Sequence, residues 1–160
     1  MILDYYFRRP VLWDYLISII ISLGLYYLFC NARISIPKDS DSYSLTGDIS
    51  NVAFTLAGFI LTILTVLITF KDSTGERTDN IFARFFNSDY YHQSVEHLKN
   101  CIKSIIIVAI LGFFLKIFVA ENYRIYLFFY NVFALIITFL SVWRCIMILS
   151  KILVLQKPDN

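Results

Sequence analysis

Residues 51–72 of the chain read NVAFTLAGFILTILTVLITFKD, an apolar run that threonine interrupts at regular intervals. As a helix, about 20 apolar residues are long enough to cross the hydrocarbon core of a bilayer, which is about 30 Å thick. We prefer a helix to a strand because the run lacks two-residue alternation and because lipid offers no partner to an open sheet edge. The stretch therefore predicts a transmembrane helix.

The rest of the chain has the same character, and its composition is that of a membrane protein. Of the 160 residues, 58% are hydrophobic and 16% are charged, whereas soluble domains have about 45–50% apolar and about 25% charged residues. We predict an all-α integral membrane protein, with residues 1–160 forming one membrane domain of four transmembrane helices. The predicted spans are residues 11–29, 51–70, 101–119 and 125–149.

Basic residues beside the spans predict the side of the membrane on which each loop lies. Arg8 and Arg9 precede the first span, and Lys151 lies at the end of the last one. Because basic residues accumulate on the cytoplasmic side, we predict that both termini are cytoplasmic, in a bacterial inner (plasma) membrane. Residues 71–100 then form a short cytoplasmic helical loop between helices 2 and 3, and the acidic, serine-rich residues 31–50 form an outer loop.

The polar and small residues of the second span share one side of the predicted helix. They recur in steps of three and four, a period of about 3.5 residues that keeps a line facing one neighbour in a left-handed bundle. One interpretation is helix packing, because small residues let backbones approach and threonine returns its hydroxyl to a carbonyl one turn earlier. We call this line the polar ladder; it consists of Asp48, Asn51, Thr55, Gly58, Thr62, Thr65, Thr69 and Asp72.

The second interpretation of the polar ladder is the lining of a pore for cations. Asp48 and Asp72 bracket the hydroxyl groups, and acidic rings at both mouths suit cation passage. Four helices are too few to enclose a wet pore, because each must also cover the apolar faces of the others. The ladder can therefore line a pore only if a closed ring of copies points it at a central axis. This predicts a homo-oligomer within the lipid bilayer.

The fourth span carries a second line of small and polar residues in the same steps. Near the start of the first span, Asp14 is a charge inside a predicted helix, and such a residue needs a partner. We expect that partner to be Arg8, Arg9 or Arg144. The line on the fourth span, which we call the second seam, consists of Asn131, Ala134, Thr138, Ser141 and Cys145.

Aromatic residues gather on one face of a short helix predicted within the cytoplasmic loop. Such a face either lies in the headgroup plane, packs on the ends of neighbouring helices, or contacts a partner. A second helix is predicted to begin at Ser88 or Asp89 and to run without a break into the third span. The candidate partner or interface contacts in the loop are Phe82, Arg84, Phe85 and Phe86.

The residue types that carry catalysis or bind metals are not arranged for either task. His92 and His97 are five positions apart and lie on different faces of a helix, unlike zinc ligands four apart. Cys30 is predicted at the opposite membrane surface from Cys101 and Cys145, so no disulfide framework is expected. No basic patch with interleaved aromatic residues suits nucleic acid. We predict no enzymatic activity, no metal, no cofactor and no direct nucleic-acid binding.

Residues 56–62, LAGFILT, together with the aromatic-rich loop and the helix entering the third span, resemble a group of known proteins. These are small prokaryotic anti-phage membrane effectors that accompany retron, cyclic-nucleotide or CRISPR systems, and the resemblance covers roughly residues 50–118. It implies a homo-oligomeric effector that permeabilises the inner membrane when a cytoplasmic partner triggers it. The chain lacks a recognisable sensor domain, so the resemblance implies a separate soluble partner that docks on residues 71–100 and the C-terminal tail.

A second type of anti-phage protein is an alternative within the same resemblance. The membrane subunit of Kiwa-like systems is a sensor and scaffold rather than a toxin. On this interpretation the chain is a non-conducting anchor that recruits or restrains a cytoplasmic defence protein. The two interpretations differ in whether the polar ladder or the phenylalanine-rich loop is needed for function.

Overall fold

Four long α-helices make up almost all of the part of the chain that a computed structural model describes, residues 10–74, 86 and 89–154. These residues contain no strand, and all four helices are long and apolar enough to cross a membrane. The prediction of an all-α protein with four transmembrane helices is therefore confirmed. The helices are α1 (Pro10–Cys30), α2 (Asp39–Thr74), α3 (Asp89–Phe118) and α4 (Leu127–Val154), with a 3-10 helix at Glu121–Tyr126 between α3 and α4.

Helix α2 begins much earlier than its predicted span. It has 36 residues and a length of about 54 Å, well beyond the hydrocarbon core of about 30 Å. Most of the segment predicted as an outer loop is therefore helical. Hydropathy does not reveal this extension, because its inward face carries Ser42, Thr46 and Ser50, which are polar but fully buried. Thr46 and Ser50 each donate a hydrogen bond of 2.8 Å to the carbonyl oxygen four residues earlier.

Helix α3 joins the predicted loop helix to the third span. It runs from Asp89 to Phe118 over 30 residues, which confirms the predicted continuity. The next connection is short, because the backbone turns through Val119 and Ala120 into the 3-10 helix before α4 begins. This tight connection holds α3 and α4 side by side and antiparallel.

The interior of the bundle lies between α2, α3 and α4, whereas α1 packs mainly against α4. Leu64, Leu98 and Ile105 are among the buried apolar residues that these three helices contribute. In α1 the buried residues are instead Pro10, Asp14 and Ser18, and its large apolar side chains are mostly exposed. Helix α1 is thus attached through a narrow strip that contains two polar residues.

The end of α1 is closed by a left-handed residue. The Ala32 amide donates to the Phe29 carbonyl at 2.9 Å and the Arg33 amide to the Leu28 carbonyl at 3.0 Å, the hydrogen-bond pattern of a Schellman motif. Ala32 has a φ of 52°, a conformation that glycine adopts without the steric cost of a Cβ atom.

Replacing Ala32 with glycine is expected to stabilise the protein by about 1 kcal/mol, because the left-handed conformation costs an L-residue about 1–2 kcal/mol. The measurement is the free energy of unfolding in detergent micelles. Ala120→Gly is the matched control, because Ala120 has an ordinary φ of −64°. If both variants shift stability equally, the left-handed strain is not the cause.

Candidate functional site

The polar ladder lies on the outside of the bundle. Every ladder residue from Asp48 to Thr69 is exposed, and the side chain of Asp72 lies outside the described residues. The face of α2 that packs inside the bundle is the neighbouring one. Its buried residues are Ala53, Ala57, Ile60, Leu64 and Leu67. Among the described residues of one chain, the ladder is therefore not a packing seam between helices.

The threonine hydroxyls of the ladder are bonded within their own helix. Thr55, Thr62, Thr65 and Thr69 each donate to the carbonyl oxygen four residues earlier, at distances of 2.9 to 3.0 Å. Gly58 adds a gap, because a methyl group placed there would meet nothing within 4 Å. At Thr55, Thr62 and Thr65, a hydroxyl bonded in this way can still accept a hydrogen bond. The ladder can thus face a second helix or water without breaking its own bonds.

The second seam is a packing surface of the bundle interior. Its five residues, Asn131, Ala134, Thr138, Ser141 and Cys145, are all buried. The Asn131 side chain donates a hydrogen bond of 2.9 Å to the Ser42 carbonyl, which joins α4 to the extended part of α2. The polar ladder is therefore exposed and the second seam is buried, although both have the same spacing in the sequence.

Close approach of three helices characterises the end of the bundle that contains Asn131. A methyl group at Gly112 would overlap Ser50 Oγ and would lie 3.2 Å from the hydroxyl of Tyr130. The Tyr130 hydroxyl itself donates to the Val108 carbonyl of α3. Gly112 is therefore the position on α3 at which side chains from both α2 and α4 reach the backbone.

Basic and aromatic side chains cover the same end of the bundle. Lys116 Nζ lies 5.0 Å from the ring centre of Tyr43, and the Arg124 guanidinium carbon lies 4.6 Å from it. Lys116 also fills the space beside Gly47, where a methyl group would overlap its amine. Arg124 further pairs with the exposed Glu121 at 3.2 Å. Tyr43 thus connects α2 both to the end of α3 and to the 3-10 helix.

A buried ion pair joins α1 to α4 at the opposite end of the bundle. Arg144 Nη2 lies 2.6 Å from Asp14 Oδ2, and the side chains are 13% and 1% exposed. Arg144 Nη1 also lies 3.8 Å from the sulfur of Cys101 on α3. Of the three arginines expected as partners of Asp14, the structure places Arg144 beside it; Arg8 and Arg9 lie outside the described residues. One arginine therefore contacts the two helices on either side of α4.

A neighbouring contact between Tyr15 and Ser104 was not anticipated from the sequence. The two hydroxyls are 3.0 Å apart and connect α1 to α3. Their positions in the chain carry no shared pattern, because the residues belong to different helices far apart in sequence. The charge of Asp14 signalled that this part of α1 faces protein, but it did not show which residues Tyr15 would meet.

Phe86 is the single described member of the candidate contacts in the loop. It is buried, and its ring lies 5.3 Å from that of Tyr91 in an edge-to-face arrangement. Lys71 Nζ, on α2, lies over the ring of Tyr91, 4.9 Å from its centre. Phe86 therefore packs on the ends of helices rather than presenting its ring to a partner. Phe82, Arg84 and Phe85 lie outside the described residues.

No family model, curated protein or solved structure matches the chain. The class therefore follows from the fold. Four apolar helices, each long enough to cross a bilayer, define a multi-pass membrane protein. Within the described residues no group of three histidine, cysteine or acidic side chains could hold a metal ion. The candidate site is thus the exposed ladder on α2. The bundle that carries it is held together by polar contacts between helices at both of its ends.

Proposed function

We propose that the chain assembles into a homo-oligomer through the exposed face of α2, and that the assembly permeabilises a bacterial inner membrane. The observation that carries the proposal is the outward orientation of the polar ladder. A line of hydroxyls, an amide and a glycine occupies the lateral surface, where apolar side chains are otherwise expected against lipid. When two copies place their polar ladders against each other, the ladder contacts protein instead of lipid acyl chains.

The bundle interior supports a pathway between copies rather than through one copy. Leu98, Ile105 and Ile137 are fully buried and fill the space between the helices. A wet pore within one protomer would have to displace this packed core, which costs several kcal/mol for each large side chain that loses its contacts. A ring of copies needs no such change, because the ladder already lies outside the core.

Glycine and threonine on the ladder suit the contact that such an assembly needs. Helices associate in lipid through close packing at small residues and through hydrogen bonds between helices. Gly58 leaves room for a neighbouring backbone, and the hydroxyl oxygens of Thr55, Thr62 and Thr65 can each accept a further hydrogen bond. The exposed Asn51 adds an amide that can bond across a helix pair or to water.

The anti-phage role and its trigger come from the sequence resemblance. In this proposal a soluble cytoplasmic protein acts on the loop between α2 and α3 and converts the closed assembly to the conducting one. The alternative is a non-conducting anchor for such a protein. The burial of Phe86 against Tyr91 bears on the alternative, because it removes this ring from the surface that such a protein would contact.

Changing Thr62, Thr65 and Thr69 together to valine is expected to reduce ion leakage at least tenfold, because the variant removes the hydroxyls but keeps the shape of each side chain. The measurement is dye uptake and membrane potential in cells that express the protein, where a soluble cytoplasmic trigger can act on it. The control is Leu61→Val with Ile68→Val, two exposed positions of α2 that lie off the ladder.

Leakage that is the same in the ladder variant, the control and the unchanged protein would contradict the pore lining. Absence of leakage from all three, together with a stoichiometric soluble protein copurified from native membranes, would favour the anchor. A monomer in native membranes would exclude a conduit between copies.

A further inference from the structure

Two cations meet on one tyrosine ring at the end of the bundle that contains Asn131. Lys116 Nζ lies 5.0 Å from the ring centre of Tyr43, and the guanidinium carbon of Arg124 lies 4.6 Å from it. Because both distances run to the same point, the two charges are separated by no more than their sum, about 9.6 Å. Like charges this close repel each other, so an anion between them would stabilise the arrangement.

Three elements of the fold bring these side chains together. Lys116 belongs to the last turn of α3, Arg124 belongs to the 3-10 helix that follows, and Tyr43 belongs to the part of α2 that precedes its predicted span. The Lys116 amine also lies against Gly47 of α2, where a methyl group would overlap it. The extension of α2 thus forms a wall against which both cations are held.

The acidic residues at this end leave an excess of positive charge around the tyrosine ring. Glu121 lies 3.2 Å from one terminal nitrogen of Arg124, and its side chain is 82% exposed. Within the described part of the chain, no acidic side chain forms an ion pair with Lys116. The other carboxylates of this end belong to α2 and are exposed: Asp39, Asp41 and Asp48.

The two cations lie at the level where a bilayer places its lipid headgroups. Lys116 is in the last turn of α3, one of the four helices that are long and apolar enough to cross a membrane. Nearby in the chain, Tyr123 and Tyr126 are 62% and 50% exposed, and tyrosine is enriched at membrane–water interfaces. The Arg124 side chain is 29% exposed and Lys116 is half-buried, so a headgroup can reach both.

We propose that Lys116 and Arg124 bind the phosphate group of an anionic phospholipid such as phosphatidylglycerol. Basic pockets between transmembrane helices bind the headgroups of anionic lipids, and the planar guanidinium of arginine offers several donors to a phosphate. Two hydrogen bonds of about 2.8 Å on opposite sides of a phosphate span a gap of roughly the size that separates the two charges. This binding site is independent of the proposed permeation.

Apolar residues beside the cations favour a lipid over inorganic phosphate. Ile117 and Phe118 directly follow Lys116 in the chain and are 72% and 74% exposed. They offer the acyl chains of a bound lipid an apolar surface, which inorganic phosphate does not use. A zwitterionic lipid such as phosphatidylcholine carries the same phosphate, but its choline adds a further cation to a site that already has an excess of positive charge.

The test measures lipid binding to the full-length protein in detergent by native mass spectrometry. Phosphatidylglycerol and phosphatidylcholine of equal chain length are added at equal concentrations. Phosphatidylglycerol is expected to bind about tenfold more tightly, the effect of two basic residues beside an anionic lipid. The double variant Lys116→Gln with Arg124→Gln is expected to lose this preference, whereas Lys116→Arg, which keeps the charge, is expected to retain it.

A second double variant controls for the loss of net charge. Lys99→Gln with Lys151→Gln also removes two basic groups, both exposed and both at the opposite end of the bundle. This control is expected to keep the preference for phosphatidylglycerol. Equal loss of preference in the two double variants would overturn the proposal, as would equal binding of the two lipids to the unchanged protein.

A further measurement uses the unchanged protein, so it does not depend on the folding of any variant. Phosphatidylglycerol with a photoreactive headgroup is expected to label residues 43–47 or 116–124, and label confined to the opposite end of the bundle would contradict the site. Inorganic phosphate at millimolar concentration is expected to leave the bound lipid in place. Displacement of the lipid would assign the site to free phosphate and would exclude the lipid.

Discussion

Replacing Arg144 with methionine is expected to lower the free energy of unfolding by about 3–5 kcal/mol, because it leaves the Asp14 carboxylate buried without its countercharge. The carboxylate is 1% exposed and its oxygen lies 2.6 Å from the guanidinium. The expected loss is therefore that of a buried pair and not of a surface contact. The measurement is unfolding of the purified protein in mixed micelles, followed by circular dichroism against the fraction of denaturing detergent.

Two further variants separate the charge from the packing of the side chain. Adding Asp14→Leu to Arg144→Met removes both charges and is expected to recover most of the lost stability, because an apolar pair needs no countercharge. Glu121→Gln breaks the pair with Arg124 at a side chain that is 82% exposed, leaves the contact of Arg124 with Tyr43 in place, and is expected to cost less than about 1 kcal/mol. Equal losses in Arg144→Met and Glu121→Gln would show that burial of the Asp14 pair has no special role.

Replacing Gly112 with alanine is expected to destabilise the protein by about 1–3 kcal/mol, the usual cost of an added methyl group in a packed interior. The new methyl would overlap Ser50 Oγ and crowd the Tyr130 hydroxyl. Ser50 Oγ would have to leave the hydrogen bond that it donates to the Thr46 carbonyl, and the Tyr130 ring would have to shift by a few tenths of an ångström. The measurement is the same unfolding experiment, with Gly112→Ala compared with the unchanged protein.

The chain contains a glycine that makes a good control for this substitution. Gly24 is also in a helix, but an added methyl group would meet nothing within 4 Å there. Alanine there is expected to stabilise the helix by up to about 1 kcal/mol, because glycine is the poorer helix former. Combining Gly112→Ala with Ser50→Ala should regain part of the loss. A stabilising Gly112→Ala would contradict the close approach of the three helices.

The number and type of helices could be predicted from the sequence because a bilayer imposes both length and apolar composition. The residue at which α2 begins could not be predicted, because beyond the bilayer the extent of a helix depends on its contacts with protein. Ser42, Thr46 and Ser50 look like loop residues, yet they are buried against the other helices. Their four-residue spacing was a usable signal, and it resembles the spacing of Asp14 and Ser18 on α1.

The orientation of the polar ladder also lay beyond sequence reasoning. A period of about 3.5 residues shows that side chains share a face, but it does not say whether that face meets the same chain, another copy or lipid. The ladder and the second seam illustrate this, since the first is exposed and the second is buried. For Asp14 the prediction was sharper, because a charge inside a span restricts its partners to a few cations.

The pairing of Asp14 with Arg144 has a consequence for biogenesis. The two residues are 130 positions apart, so a ribosome completes α1 long before it makes the arginine that neutralises it. Until α4 has been made, the Asp14 carboxyl group lacks the arginine with which it pairs in the folded protein. The contact between α1 and α4 through this pair can therefore form only after α4 has been inserted, so the attachment of the first helix depends on the completion of the fourth.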